Sequence, residues 1–358
     1  MKKFLFIAAI AALTLGACSK NEIAKDTNPD NVVSFTTYAG RTLTKANSTL
    51  INGGDFSTST NPNIGVFAWL KATGAFQGNE SDLMMNNVKV TLQDGGNTAS
   101  DTYSNLQYWP KDVASVPGNY KNTISFAAYY PYGDEHITAT PATGLGAYNF
   151  TVDEDVSKHT DFMVSDVVPN LIKAQSDAGS VPFRFRHMLT KVQFYVKQAA
   201  SYTGTTIKVT SIKLAGVKTK GTLTTNYNPD TGGTGFNWGG LSTAQTYEFI
   251  NTFKNLTTTP AKVADDDDDY TYLMIPQNLG NDVTITFKYT VTPSEGVPVN
   301  ETVTFKLNEA KVSGTPLTQW EQNQNIKYTF TVALDVITFK AEAVAWEDEK
   351  NAGLTITD

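Results

Sequence analysis

Apolar and polar residues alternate along much of this chain. The clearest run is Val283, Ile285, Phe287, Tyr289 and Val291, separated by Thr284, Thr286, Lys288 and Thr290. A period of two over such a run predicts a strand with one buried and one wet face. The same pattern recurs at Val303, Phe305 and Leu307, at Tyr328, Phe330 and Val332, at Ile337, Phe339 and Ala341, and at Leu354 and Ile356. Earlier in the chain, Val32–Tyr38, Asn61–Leu70, Thr123–Tyr130, Tyr148–Val152 and Asp161–Val164 read as strands, and Pro131 stops the third of them. Val192, Phe194 and Val196, then Ile207, Val209, Ile212 and Leu214, continue the series. No long stretch carries apolar residues at the i, i+3, i+4, i+7 spacing of a helix. A short helix is expected only near Asp161–Ser165 or within Leu317–Gln324. Short strands separated by Gly, Pro, Asn and Asp turns predict an all-β chain of antiparallel sandwiches.

With 358 residues the chain is long for one core, and two sandwiches in tandem fit the length. The seam is placed in the Val181–Lys191 stretch. The expected layout is a leader at 1–17, a polar tether at 18–31, an N-terminal sandwich at 32–186 and a C-terminal sandwich at 187–358. Hydrophobic residues make up 40% and charged residues 18%, against the usual ~25% charged, so the chain is globular and strand-favouring rather than disordered.

The N-terminus has a different pattern. Lys2 and Lys3 precede an apolar run from Phe4 to Leu15, too short to span a bilayer as a mature helix. Leu15-Gly16-Ala17-Cys18 then sets small residues before the chain's only cysteine. This is an export-signal layout that resembles a bacterial lipobox. Cleavage would fall before Cys18, and acylation of its thiol would anchor the mature chain to the outer membrane. Loss of Lys2 and Lys3 takes the net charge from −7 to −9. An acidic chain lacks the basic stripe of a general nucleic-acid binder, so no nucleic-acid partner is expected.

Catalytic patterns are weak. The three histidines, His136, His159 and His187, have no metal-ligand spacing, and no second cysteine joins them. No metal and no cofactor is therefore expected. His187 begins an apolar stretch and reads as a hydrogen-bonded core histidine. There is no G-x-S-x-G elbow, and Gly232-Gly233-Thr234-Gly235 lacks the lysine of a phosphate loop and reads as a turn. Asp265–Asp269, five carboxylates in a row, reads as a solvated loop in preference to a calcium site. Sixteen Tyr and five Trp could supply a glycan-stacking platform, although Trp109, Tyr129 and Tyr130 fit buried or turn positions better. A glycosidase would need two carboxylates facing each other across a cleft, which no spacing indicates. The chain is expected not to be an enzyme.

An ordered set of short motifs resembles the Bacteroidales fimbrillin family, the type V pilins and their relatives. After Cys18 come a strand at Val32–Tyr38 with Arg41 or Lys45 behind it, Ile64-Gly65-Val66-Phe67-Ala68, Tyr108-Trp109-Pro110 and Phe126-Ala127-Ala128-Tyr129-Tyr130-Pro131-Tyr132. Asp161-Phe162-Met163 follows, then Val181-Pro182 through Phe185, His187, Leu189, Lys191 and Val192, then Gly221-Thr222, and Ala343-Val344-Ala345-Trp346 near the end.

The resemblance implies two transthyretin-like, Greek-key sandwich domains and a fimbrial subunit or surface adhesin. It implies export as a lipoprotein and cleavage after Arg41 or Lys45, with Lys45-Ala46 standing where the family usually carries Arg-Ala. The first strand, carrying Val32, Val33 and Phe35, would leave, and an extended segment of another fimbrial subunit would fill the groove by strand addition. Donor candidates are the stretches carrying Ile337 and Phe339 and carrying Leu354 and Ile356, with Ile337–Ala345 the better fit to the chain's own sheet. Stalk, tip and anchor positions all stay open, and a host or bacterial surface ligand is a further expected partner. The alternative is a non-polymerising surface lipoprotein that binds glycans or outer-membrane partners.

Overall fold

A computed structural model of the chain describes residues 29–39, 62–93, 102–140, 145–176, 179–250, 255–263, 271–334 and 337–346. The strands, in chain order, begin with β1 (Ser34–Ala39), β2 (Asn63–Thr73), β3 (Leu83–Thr91), β4 (Ala114–Val116), β5 (Asn119–Tyr130), β6 (Ile137–Thr140), β7 (Ala147–Thr151), β8 (Met163–Ser165) and β9 (Val168–Leu171). There follow β10 (Ser180–His187), β11 (Thr190–Gln198), β12 (Thr205–Asn228), β13 (Gly233–Ile250), β14 (Ala261–Lys262), β15 (Tyr272–Met274) and β16 (Gln277–Asn278). The last are β17 (Thr284–Pro293), β18 (Val299–Lys306), β19 (Lys311–Val312), β20 (Thr315–Pro316), β21 (Gln319–Trp320), β22 (Gln324–Val332) and β23 (Ile337–Ala345). The fold is all-β. Its helical content among the described residues is limited to short 3-10 turns, and no helix there is long and apolar enough to cross a membrane.

Three sheets carry the architecture. An eight-stranded sheet runs β1-β10-β8-β5-β2-β3, with β4 and β9 also on β5. A six-stranded sheet runs β18-β17-β12-β7-β6 with β13 on β12, and a five-stranded sheet runs β14-β11-β22-β23 with β15 on β11. The six-stranded sheet is antiparallel throughout, as expected, but the other two are mixed: β1 pairs β10 in parallel, and β11 pairs β22 in parallel. Each parallel partner lies far along the chain, as parallel pairing requires a crossover.

Two apolar cores explain the burial pattern. One holds Val33, Phe35, Val66, Ala68, Phe126, Ala128, Val181, Phe183 and Phe185. The other holds Phe67, Trp69, Ala127 and Tyr129 and continues through Tyr148, Phe150, Leu214, Phe287 and Phe330. The alternate residues of β2 and β5 therefore feed opposite cores, which is why Ile64–Trp69 and Thr123–Tyr130 are buried throughout. Gly65 fits this layer because a Cβ there would collide with the Tyr129 ring. The seam at residues 186 and 187 is crossed, since β7 pairs β12 from Lys220↔Thr151 to Thr224↔Ala147 and the larger core extends across it.

Two local expectations change. The Leu317–Gln324 stretch is not helical: β21 pairs β16, and the Trp320 indole is buried, donating to the Tyr328 hydroxyl at 2.9 Å. Nor is Asp161–Ser165, which ends in β8. The hairpin of β12 and β13 is far longer than the Ile207–Leu214 pattern indicated, with register shifts at Ala215/Val217 and Lys220/Thr222. Those shifts break the period of two. Gly216 makes the first possible: its φ is +84°, and a Cβ would strike the Asp282 carbonyl.

Candidate functional site

The first strand lies at one edge of the eight-stranded sheet, in register with β10 from Ser34↔Ser180 to Ala39↔Phe185. Val33 and Phe35 are fully buried, and Thr37 is 8% exposed, so these alternate residues form the inward face. The Phe35 ring stacks on Phe183 at 5.6 Å and meets Tyr103 at 5.8 Å and Phe126 at 6.1 Å edge-on. Burying a Val or Phe side chain is worth about 1.5–3 kcal/mol, so each of these two residues adds to the strand's attachment on that scale.

The entry to β1 is held by polar contacts. The Val33 amide donates to the Gln107 carbonyl at 2.8 Å, and the Tyr103 hydroxyl donates to the Val33 carbonyl at 2.8 Å. The Trp109 amide donates to the Asn31 carbonyl at 2.9 Å, and the Trp109 indole donates to the Gly179 carbonyl at 3.2 Å. Lys173 Nζ reaches the Asp30 carbonyl at 2.6 Å and Asn31 Oδ1 at 2.5 Å. Val32 forms an isolated bridge with Tyr108. On β10 the outward Arg186 grips Asp166 with two bonds, at 2.8 and 3.0 Å. The neighbouring inward residues, Phe183 and Phe185, complete the seat.

Topology matters as much as contact. In the sheet order β1 and β2 are separated by β10, β8 and β5. A break in the chain between them would leave β1 held by non-covalent contacts alone, without disturbing any hairpin.

Near the other end of the described chain, β23 lies at the edge of the five-stranded sheet. It pairs β22 from Gln324↔Ala345 to Val332↔Ile337. Ile337 and Phe339 are thus in the chain's own sheet. Trp346 follows and is buried, with its amide donating to the Asn323 carbonyl at 2.8 Å. Cys18, Arg41, Lys45, Leu354, Ile356 and Asp265–Asp269 lie outside the described residues.

The histidines have structural surroundings. His187 is buried, and its Nδ1 shares a 2.9 Å hydrogen bond with Asp161 Oδ1. His136 lies between two carboxylates, Asp134 Oδ1 and Asp153 Oδ2, each at 2.9 Å. The bond to Asp134, joined by that to Asp153, pushes its pKa up to about 9. His159 is buried, which lowers its pKa to about 4. Its Nδ1 accepts from the Leu273 amide at 3.1 Å, so Nε2 carries the proton and donates to the Asp153 carbonyl at 3.0 Å. No group of His, Cys, Asp or Glu among the described residues is arranged to hold a metal ion. Every Trp, Tyr and Phe whose side chain is described is at least partly buried. Trp109, Tyr129 and Tyr130 are all buried.

Sequence reading found Val33, Phe35 and Trp109. It missed Tyr103, in a loop, and Lys173, which opens a short 3-10 turn; both reach β1 only through the fold.

The fimbrillin-like family model matches residues 44–346. The chain belongs to the fimbrillin-like family. A curated relative, the fimbrium subunit Fim1C of Phocaeicola vulgatus, is 28% identical over 233 residues, covering 58% of this chain and 55% of that protein. The chain thus spans about half the length of that relative. Among solved structures, a fimbrial protein from Bacteroides vulgatus superposes with a TM-score of 0.62 at 19% identity, covering 88% of this chain and 99% of the other. That likeness establishes the shared fold. Family and relative are both fimbrial by description.

Proposed function

We propose that the chain is a fimbrial subunit or surface adhesin at the cell surface, exported as a lipoprotein through Cys18 and assembled by strand exchange. Cleavage after Arg41 or Lys45 would free β1 and the lipid together. An extended segment of another subunit would then take the place of β1 beside β10. Leu354 and Ile356 mark the stretch best placed in sequence to serve as donor, because Ile337–Ala345 is already engaged with β22. The observation that carries this reading is the position of β1. It is an edge strand, paired in parallel with β10 and three strands removed from its successor β2. Its departure uncovers a groove lined by Phe126, Phe183 and Tyr103 and a row of unpaired main-chain groups, a costly arrangement that strand addition relieves.

Electron microscopy of the producing cells with an antibody to this chain tests the reading. Label along filaments is expected. Diffuse surface label with retention on a glycan array would favour the non-polymerising binder instead.

A further inference from the structure

The seat of β1 has one flaw in its present occupant. Its three inward positions are Val33, Phe35 and Thr37, which alternate along the strand as a single buried face. Two of them are apolar. The third, Thr37, is 8% exposed and lies opposite the buried Phe183, yet its hydroxyl has no hydrogen-bond partner. A buried hydroxyl without a partner has lost its water and received nothing in return. Valine has the same shape with a methyl in place of the hydroxyl, and its branched side chain suits a strand.

The geometry points to a seat matched to a strand apolar at all three inward positions, with β1 a deliberately weaker resident. This rests on the strand-exchange reading above and narrows it by describing the partner. The preferred occupant is an extended segment of another subunit, parallel to β10, with an aromatic residue at the Phe35 position and a β-branched aliphatic residue at the Thr37 position. The aromatic site is set by the rings of Tyr103, Phe126 and Phe183 around Phe35. The aliphatic site is set by the size of Thr37 and the absence of a polar partner. An incoming strand of that pattern displaces β1 because it leaves no polar group stranded.

Two measurements on the full chain test this. The first compares melting temperatures of the intact protein, wild type against Thr37→Val. A rise of about 2–4 °C is expected for the variant. No rise, or a fall, overturns the inference whether or not strands exchange. The second uses chain cut between β1 and β2 by limited digestion with an Arg/Lys-directed protease. Labelled peptides of the β1 sequence, unchanged, with Thr37→Val or with Thr36→Val, then compete for the seat. The Thr37→Val peptide is expected to bind about tenfold more tightly than the unchanged one. Thr36 is an outward-alternating position, so its variant should match the unchanged peptide. Equal affinity for all three, or the same increase from Thr36→Val, overturns the inference and leaves exchange standing. If no peptide enters the cut chain, the exchange reading fails, and the melting comparison still decides whether Thr37 is the weak point.

Discussion

The imidazole of His187 lies flat on the indole of Trp346, with ring centroids 4.0 Å apart and planes 3° apart. His187 closes β10, the partner of β1, and Trp346 follows β23. One stacked pair therefore joins β10, the strand that holds β1, to the last of the described residues. Asp161 fixes the imidazole from the side, and Lys191 Nζ sits 5.9 Å from the indole centroid.

Trp346→Ala should be among the most damaging single changes. Truncating a buried Trp costs about 3–5 kcal/mol, read as a lowered urea midpoint. Trp346→Phe should recover part of that loss, since a ring can still face His187.

Phe35→Ala should loosen β1 before it unfolds the rest. The substitution removes the contacts with Phe183, Tyr103 and Phe126, at a cost of about 3 kcal/mol. β1 is an edge strand, so the expected sign is faster hydrogen exchange in the β1–β10 ladder while β5 stays protected. Uniform loss of protection across the sheet would contradict a separable strand.

Much of this fold can be read in the sequence because its strands are half-buried and alternate strictly. Val283–Tyr289 shows that case. The β12–β13 hairpin escapes because Gly216 and the second shift near Lys220 reset the period, and β13 is rich in Gly and polar residues. The seat of β1 is half legible. Val33 and Phe35 stand out as alternating apolar residues, whereas Tyr103, Lys173 and the parallel partner β10 are brought to them by contacts more than sixty residues apart. No local pattern encodes a pairing of that range.

Stability should depend on pH through two histidines with opposite signs. His136 is held at about 9 by its bonds to Asp134 and then Asp153, above the ordinary ~6.5. Its contribution is full below that ordinary value and is lost as pH rises towards about 9. His159 is lowered to about 4 by burial. The unfolded chain protonates it first, so stability falls as pH drops from ~6.5 to about 4. His136→Gln should flatten the alkaline limb and leave the acid limb, as measured by urea midpoints at about pH 5, 7 and 9.

Gly216→Ala should destabilise the long hairpin. It places a side chain at φ +84° and against the Asp282 carbonyl, an incompatible backbone position that costs more than about 1 kcal/mol. The lowered melting temperature should not be matched by Gly232→Ala, where nothing lies near the added Cβ and only the positive φ opposes it.

The central claim is that β1 is a resident strand removed before assembly. Mass spectrometry of the N-terminus of this chain, taken from purified filaments, tests it most directly. A mature start at Thr42 or Ala46 is predicted, with Cys18 and β1 gone. An acylated Cys18 at the start of every assembled copy would contradict it.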